Sequence, residues 1–258
     1  MSSFTRAIVR PPGVNFSAGL TTVNLGTPVY DLALKQHAEY CEALRSCGLR
    51  VTSLAVDEQY PDSTFVEDTA ILTKRCAIIT RPGAETRRGE ITSIERELAT
   101  SFKEIRSIHE PGTLDGGDIC EVDEHFFIAI SARTNEAGAR QFAEILAEFG
   151  FTSAVIDVRP VKSILHLKSG LAHLGGKQLV VIDELAECDQ LSRYELIRVK
   201  PDEAYATNCI RINGSVLIAA GFPSFAETLS AHGYETIAVE MSEFQKMDGG
   251  LSCLSLRF

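Results

Sequence analysis

Short apolar runs and longer amphipathic stretches alternate along this 258-residue chain. Residues 76–80 form an unbroken run of strand length, and the following stretch from 88 to 101 carries Ile91, Ile94 and Leu98, with Phe102 just beyond, at helical spacing. Residues 126–130 predict a second strand. Residues 135–149 predict a helix whose inner face is Ala139, Phe142, Ile145, Leu146 and Phe149, and residues 151–158 return as a strand. The same order recurs near the end of the chain. Strands at 209–212 and 216–219 flank Asn213-Gly214, a dipeptide suited to a tight hairpin. A helix over 225–232 stops at Gly233, and 236–239 is a strand. The first fifth holds a helix over 29–47 and a strand over 49–55. Between 161 and 205 only the strands at 179–182 and 196–199 are clear, with a poorer helix between them. About five ββαβ units of some 50 residues each account for the length, and repetition at that period suggests a closed radial arrangement; the glycines and short strands fit an ordinary mixed α/β domain as well. No low-complexity linker or long charge run marks a boundary, so residues 1–258 read as one domain.

Composition narrows the function classes. Hydrophobic residues make up 45% and charged residues 23%, which predicts a packed core. The net charge of −10 argues against a nucleic-acid or anionic-membrane partner and suits a cationic small substrate. No apolar run approaches the ~20 residues needed to span a bilayer, and the N-terminus has no signal-like apolar region, so a cytoplasmic location is expected. The seven cysteines are scattered and form no Cys-x-x-Cys, so no metal site is signalled and reduced thiols are expected.

Five segments carry candidate chemistry. In Met247-Asp-Gly-Gly-Leu-Ser-Cys253 two glycines lead into a thiol, which reads either as a buried structural cysteine on the last strand or as a nucleophile at a sharp turn. Glu67 and Asp68 interrupt an apolar strand. Alternation sends at least one of them inward, where a carboxylate needs a cationic partner, unless a strand end turns both. Thr113-Leu-Asp-Gly-Gly-Asp118 reads as a turn, or as a turn that buries Asp115 as an orienting acid. His166, between Leu165 and Leu167 in a strand-like segment bounded by Gly170, reads as a core histidine or as a proton-transfer group. Arg87 and Arg133 each precede a helix, as solvated side chains or as forks for a carboxylate.

Taken in order, Phe65-Val-Glu-Asp68, Thr80-Arg-Pro-Gly-Ala84 with Arg87-Arg88, Thr113 to Asp118, Ser131-Ala-Arg-Thr-Asn135, His166-Leu-Lys168, Ala206-Thr-Asn-Cys209 and Asp248 to Cys253 resemble the dimethylarginine dimethylaminohydrolase family over almost the whole chain. The wider guanidino-group-modifying superfamily that this resembles consists of five-bladed α/β-propellers, five ββαβ units around a central channel, so the resemblance implies that fold, in agreement with the repeat. The resemblance implies Cys253 as nucleophile, His166 as general acid and base, and Asp115 as the acid that orients the imidazole. It implies Glu67 and Asp68 around the guanidinium, Arg87 and Arg133 at the substrate carboxylate, and Asp62 with the Leu20 backbone at its amine. Met247 would add a backbone contact beside the nucleophile. The implied reaction converts methylated arginine to citrulline without metal or cofactor. Three alternatives stay open: an arginine deiminase acting on unsubstituted arginine, a non-catalytic binder of arginine-like cations, and a thiol redox sensor using Cys253 or Cys209. A homodimer is compatible with the sequence, which does not determine the oligomeric state.

Overall fold

The computed structural model describes residues 3–258. Four successive stretches repeat one plan: an antiparallel hairpin, a helical crossover, and a third strand parallel to the hairpin's second. They are Ala70–Leu72, Ala77–Ile79 and Ile105–Ser107, then Ile119–Val122, His125–Ile130 and Thr152–Asp157. Next come Leu171–Gly175, Gln178–Val181 and Glu195–Arg198, and finally Ile210–Ile212, Ser215–Ala219 and Glu235–Val239. A fifth sheet is built from both ends of the chain. Arg6–Val9 pairs in parallel with Arg50–Ser53 on one side and antiparallel with Leu256–Arg257 on the other. The last strand therefore stands where the hairpin's first strand stands in the other four.

Packing between sheets makes the plan a ring. Five buried apolar clusters each join neighbouring sheets. One unites Ile78 with Phe126, another Phe127 with Leu179, a third Val180 with Val216, and a fourth Leu217 with Val9. The fifth, Ile8 and Leu256 against Val66 and Ala77, closes the circle. No blade can bury both faces by itself, so stacking around an axis is what removes the apolar surface from water. The first strands of the blades line a central cavity of about 540 Å³.

The elements follow the hydrophobic pattern closely. The helices expected at 29–47, 135–149 and 225–232 are Tyr30–Ser46, Glu136–Glu148 and Pro223–Ala231. Asn135 caps the second of these by accepting from the Gly138 amide. Asn213 takes the positive φ of 53° that its hairpin requires. Three local readings change. Glu67 and Asp68 are not in a strand: Val66–Thr69 is a 3₁₀ turn that ends before the strand begins at Ala70. His166 is not strand-like in pairing, since it precedes a 3₁₀ turn at Leu167–Ser169 and the strand starts at Leu171. Cys253 lies in the 3₁₀ turn Ser252–Leu254, ahead of the last strand rather than on it. The helix expected from 88 opens as a 3₁₀ turn at Glu85–Glu90 and becomes α-helical only over Ile91–Leu98. In the three turns just ahead of strands, polar side chains take partners that a regular ladder would deny them.

Candidate active site

One end of the central axis carries a narrow cleft lined by Leu20, Asp62, Phe65, Asp68, Arg87, Arg133, Leu165, His166, Met247 and Cys253, together with Asp248 and Gly249. Its free volume is only about 20 Å³, little more than the room one water needs. Eight of the ten side chains singled out in the sequence meet there. Asp115 lies just behind the cleft and Glu67 faces the central cavity.

The turns explain the gathering. Because Val66–Thr69 is a 3₁₀ turn, Glu67 and Asp68 are both buried, at 3% exposure each, and diverge toward different cavities. Glu67 Oε1 accepts from Lys168 Nζ at 2.7 Å and its Oε2 accepts from Ser252 Oγ at 2.6 Å, one residue before the thiol. Asp68 Oδ2 accepts from Arg87 Nη1 at 2.6 Å, and its Oδ1 accepts from the Gly117 amide at 3.0 Å. Gly117 has to lack a side chain, because a Cβ there would stand 2.9 Å from the His166 ring and 3.0 Å from Asp68 Oδ1. Buried charge-assisted bonds of this kind offset the cost of taking carboxylates out of water.

Imidazole and acid form a second unit. Asp115, fully buried, accepts from the Gly83 amide at 2.8 Å on Oδ1 and from His166 Nε2 at 3.1 Å on Oδ2. That leaves His166 Nδ1 for the cleft. Burial by itself would lower the His166 pKa, but the Asp68, Asp118 and Asp115 carboxylates outweigh it and raise it to about 9. Asp68 is held down at about 2: burial opposes, and His166 and Arg87 prevail. Donor atoms of Asp68, Asp115 and His166 lie within 4.8 Å of one another, a spacing suited to a metal. His166 Nε2 is already held by Asp115, and a metal there would have to displace a proton that three carboxylates favour.

Cys253 is half-buried. Its Sγ accepts from the Gly250 amide at 3.4 Å. Asn208 holds the turn by accepting from the Ser252 amide and donating to Ser252 Oγ. Burial, then the Glu67 and Asp68 charges, push the thiol up to about 12, so it is protonated in the free protein.

The two arginines differ. Arg87, 4% exposed, is committed: Nε and Nη2 to Glu90, Nη1 to Asp68, and Nη2 also to the Phe65 carbonyl. The Arg133 guanidinium makes no hydrogen bond or ion pair among the described residues and lines the cleft. At the mouth, Leu20 N donates to Asp62 Oδ1 at 3.0 Å, and Thr22 donates to Asp248, so the segment carrying Leu20 is tied across the opening. Sequence reasoning gave no role to Lys168, Asn208, Ser252 or Glu90. The motifs around His166, Cys209 and Cys253 contained the first three, but only their contacts reveal what they hold.

A family model described as N,N dimethylarginine dimethylhydrolase, eukaryotic, matches residues 28–254. The N(G),N(G)-dimethylarginine dimethylaminohydrolase of Pseudomonas aeruginosa is 43% identical over 99% of this chain and 100% of its own length. A crystal structure of that enzyme, a cysteine-to-serine variant complexed with citrulline, superposes with a TM-score of 0.97 and covers both chains fully. The N-terminal domain of a cyanobacterial arginine dihydrolase, 16% identical and covering 99% of this chain and 97% of its own, shares the fold with a TM-score of 0.88. By sequence over nearly its full length and by its five-bladed α/β-propeller, the chain belongs to the dimethylarginine dimethylaminohydrolase family.

Proposed function

We propose that the protein hydrolyses Nω-methylated arginines, asymmetric dimethylarginine and monomethylarginine, to L-citrulline and dimethylamine or methylamine through a covalent intermediate on Cys253, the five blades acting as one catalytic domain. The observation that supports this most is a thiol, a proton-bearing imidazole and the Asp68 carboxylate around one cleft, with an unengaged arginine at its edge.

In this reading the substrate carboxylate pairs with the free fork of Arg133, aided by the one Nη1–H that Arg87 has left, and its ammonium group meets Asp62 and the Leu20 carbonyl. The guanidinium lies against Asp68. A guanidinium is a poor electrophile because its charge is delocalised, so fixing its central carbon beside the sulfur is the first contribution. Its positive charge also offsets the Glu67 and Asp68 fields, which together with burial hold the proton on Cys253. The thiol proton leaves to solvent and the thiolate attacks the carbon. His166, already an imidazolium, donates from Nδ1 to the departing nitrogen, which leaves as neutral amine. The neutral imidazole then takes a proton from water, the hydroxide attacks the S-alkylthiouronium, and the adduct collapses to citrulline and free cysteine. Asp115 fixes the ring and favours its charged form. Met247 borders the nucleophile turn at the site mouth.

The test is a citrulline assay with asymmetric dimethylarginine, repeated with arginine. Cys253→Ser should retain ligand binding and form no citrulline; substantial turnover by that variant would refute the nucleophile. Faster turnover of arginine than of the methylated substrate would replace this reading by a deiminase.

A further inference from the structure

Three chain segments converge on a buried carboxylate that does not line the cleft. Asp118 is fully buried and closes the 3₁₀ turn Gly116–Asp118. Its Oδ2 accepts from Ser131 Oγ at 2.6 Å and from Thr134 Oγ1 at 2.7 Å, and its Oδ1 accepts from the Leu167 amide at 3.2 Å. Each hydroxyl is a relay. Thr134 Oγ1 accepts from the Asp115 amide at 3.1 Å. Ser131 Oγ accepts from the Arg133 amide at 2.9 Å and the Thr134 amide at 3.1 Å. One side chain thus touches the residue after His166 and is one bond removed from the backbones of Asp115 and Arg133.

We infer that Asp118 is a positioning residue for the hydrolysis proposed above, holding the His166 imidazole through one oxygen and the Arg133 loop through the other. The inference rests on that reading of the active site. An ionised carboxylate suits the task because it accepts at every lone pair and donates nowhere. Burial raises Asp118 to about 6, so the ionised form is still in the majority at pH 7. The alternative of a merely structural turn explains the burial, but not why both oxygens are spent on segments that carry catalytic and binding groups.

The two arms can be cut separately. Ser131 Oγ already accepts two amide protons, so its own proton must go to residue 118. In Asp118→Asn the amide oxygen therefore stays on the hydroxyls, and the NH₂ faces the Leu167 N–H, donor against donor. The His166 arm breaks, together with one of the three charges that raise the imidazole, while the hydroxyl arm is kept. Asp118→Asn should lower kcat about 10–100-fold, with KM within about twofold of the parent. Ser131→Ala cuts the other arm and should raise KM about 5–10-fold, with kcat within about twofold. Citrulline formation from asymmetric dimethylarginine reads both, per folded protein. If Asp118→Asn does not fold, Thr134→Val carries the test from the Asp115 side: kcat should fall about tenfold and Thr134→Ser should restore it. Parental kcat in Asp118→Asn or Thr134→Val, or a Ser131→Ala enzyme that loses kcat and keeps KM, overturns the inference while a parent that makes citrulline leaves the reaction standing. A parent that makes none overturns the reaction and the inference with it.

Discussion

The resting nucleophile is expected to be almost inert until a cation fills the cleft. Burial and the charges of Glu67 and Asp68 push Cys253 up to about 12. At pH 7 a thiol of that pKa is ionised in about one molecule in 10⁵, against about one in 30 for a free cysteine near 8.5. A more basic thiolate is intrinsically more nucleophilic, and a Brønsted slope of about 0.45 returns about 1.6 of those 3.5 decades. Exchange with an uncharged disulfide reagent should therefore be about 100-fold slower at Cys253 than at a free thiol. The logarithm of the rate should climb with unit slope from pH 7 to beyond 10. Asp68→Asn removes one of the two named charges, so the whole profile should move to lower pH. The assay follows the Cys253-bearing peptide by mass spectrometry, which separates it from the six other free cysteines. A plateau with an apparent pKa below about 8 in the free protein would mean a preformed imidazolium–thiolate pair and would refute the reasoning.

Other outcomes follow from the same geometry. His166 is raised, so its charge persists to about pH 9, and the amine-release step should fall as pH rises through about 9. The associated stability is full below about pH 6.5 and lost through the same upper window. A kcat that already falls with rising pH below about 7.5 would contradict this. His166→Gly should stall release of the amine and leave an adduct on Cys253 detectable by mass spectrometry. Arg133→Ala should raise KM at least tenfold and change kcat little, and an unchanged KM would remove Arg133 from substrate binding. Gly117→Ala would press a methyl to 2.9 Å from an imidazole that Asp115 holds in place, so kcat should drop about 10–100-fold and the melting temperature by a few degrees; parental kcat would show that the ring has room.

Much of the architecture and the inventory of the site could be read from the chain alone, because both are written in neighbouring residues. Helical spacing over 135–149, the Asn213-Gly214 turn and the recurrence of two short runs, a helix and a third run are local patterns, and they foretold the five blades. The side chains that line the cleft were legible as motifs in order. Contacts between distant residues were not legible. His166 and Asp115 are 51 positions apart, and Ser252 and Glu67 are 185 apart. Alternation places adjacent strand residues on opposite faces, but it does not say that Val66–Thr69 is a 3₁₀ turn that buries both acids and aims them at different cavities. It does not say that Arg87 is consumed by Glu90 and Asp68 while Arg133 stays free. Ring closure by Leu256–Arg257 on Arg6–Val9 brings the thiol to the imidazole, and proton affinities arise only once those charges share a dry space. Periodicity is a property of short stretches of backbone; electrostatics and catalytic proximity belong to the folded ring, because only closure brings the distant charges together and takes away their water.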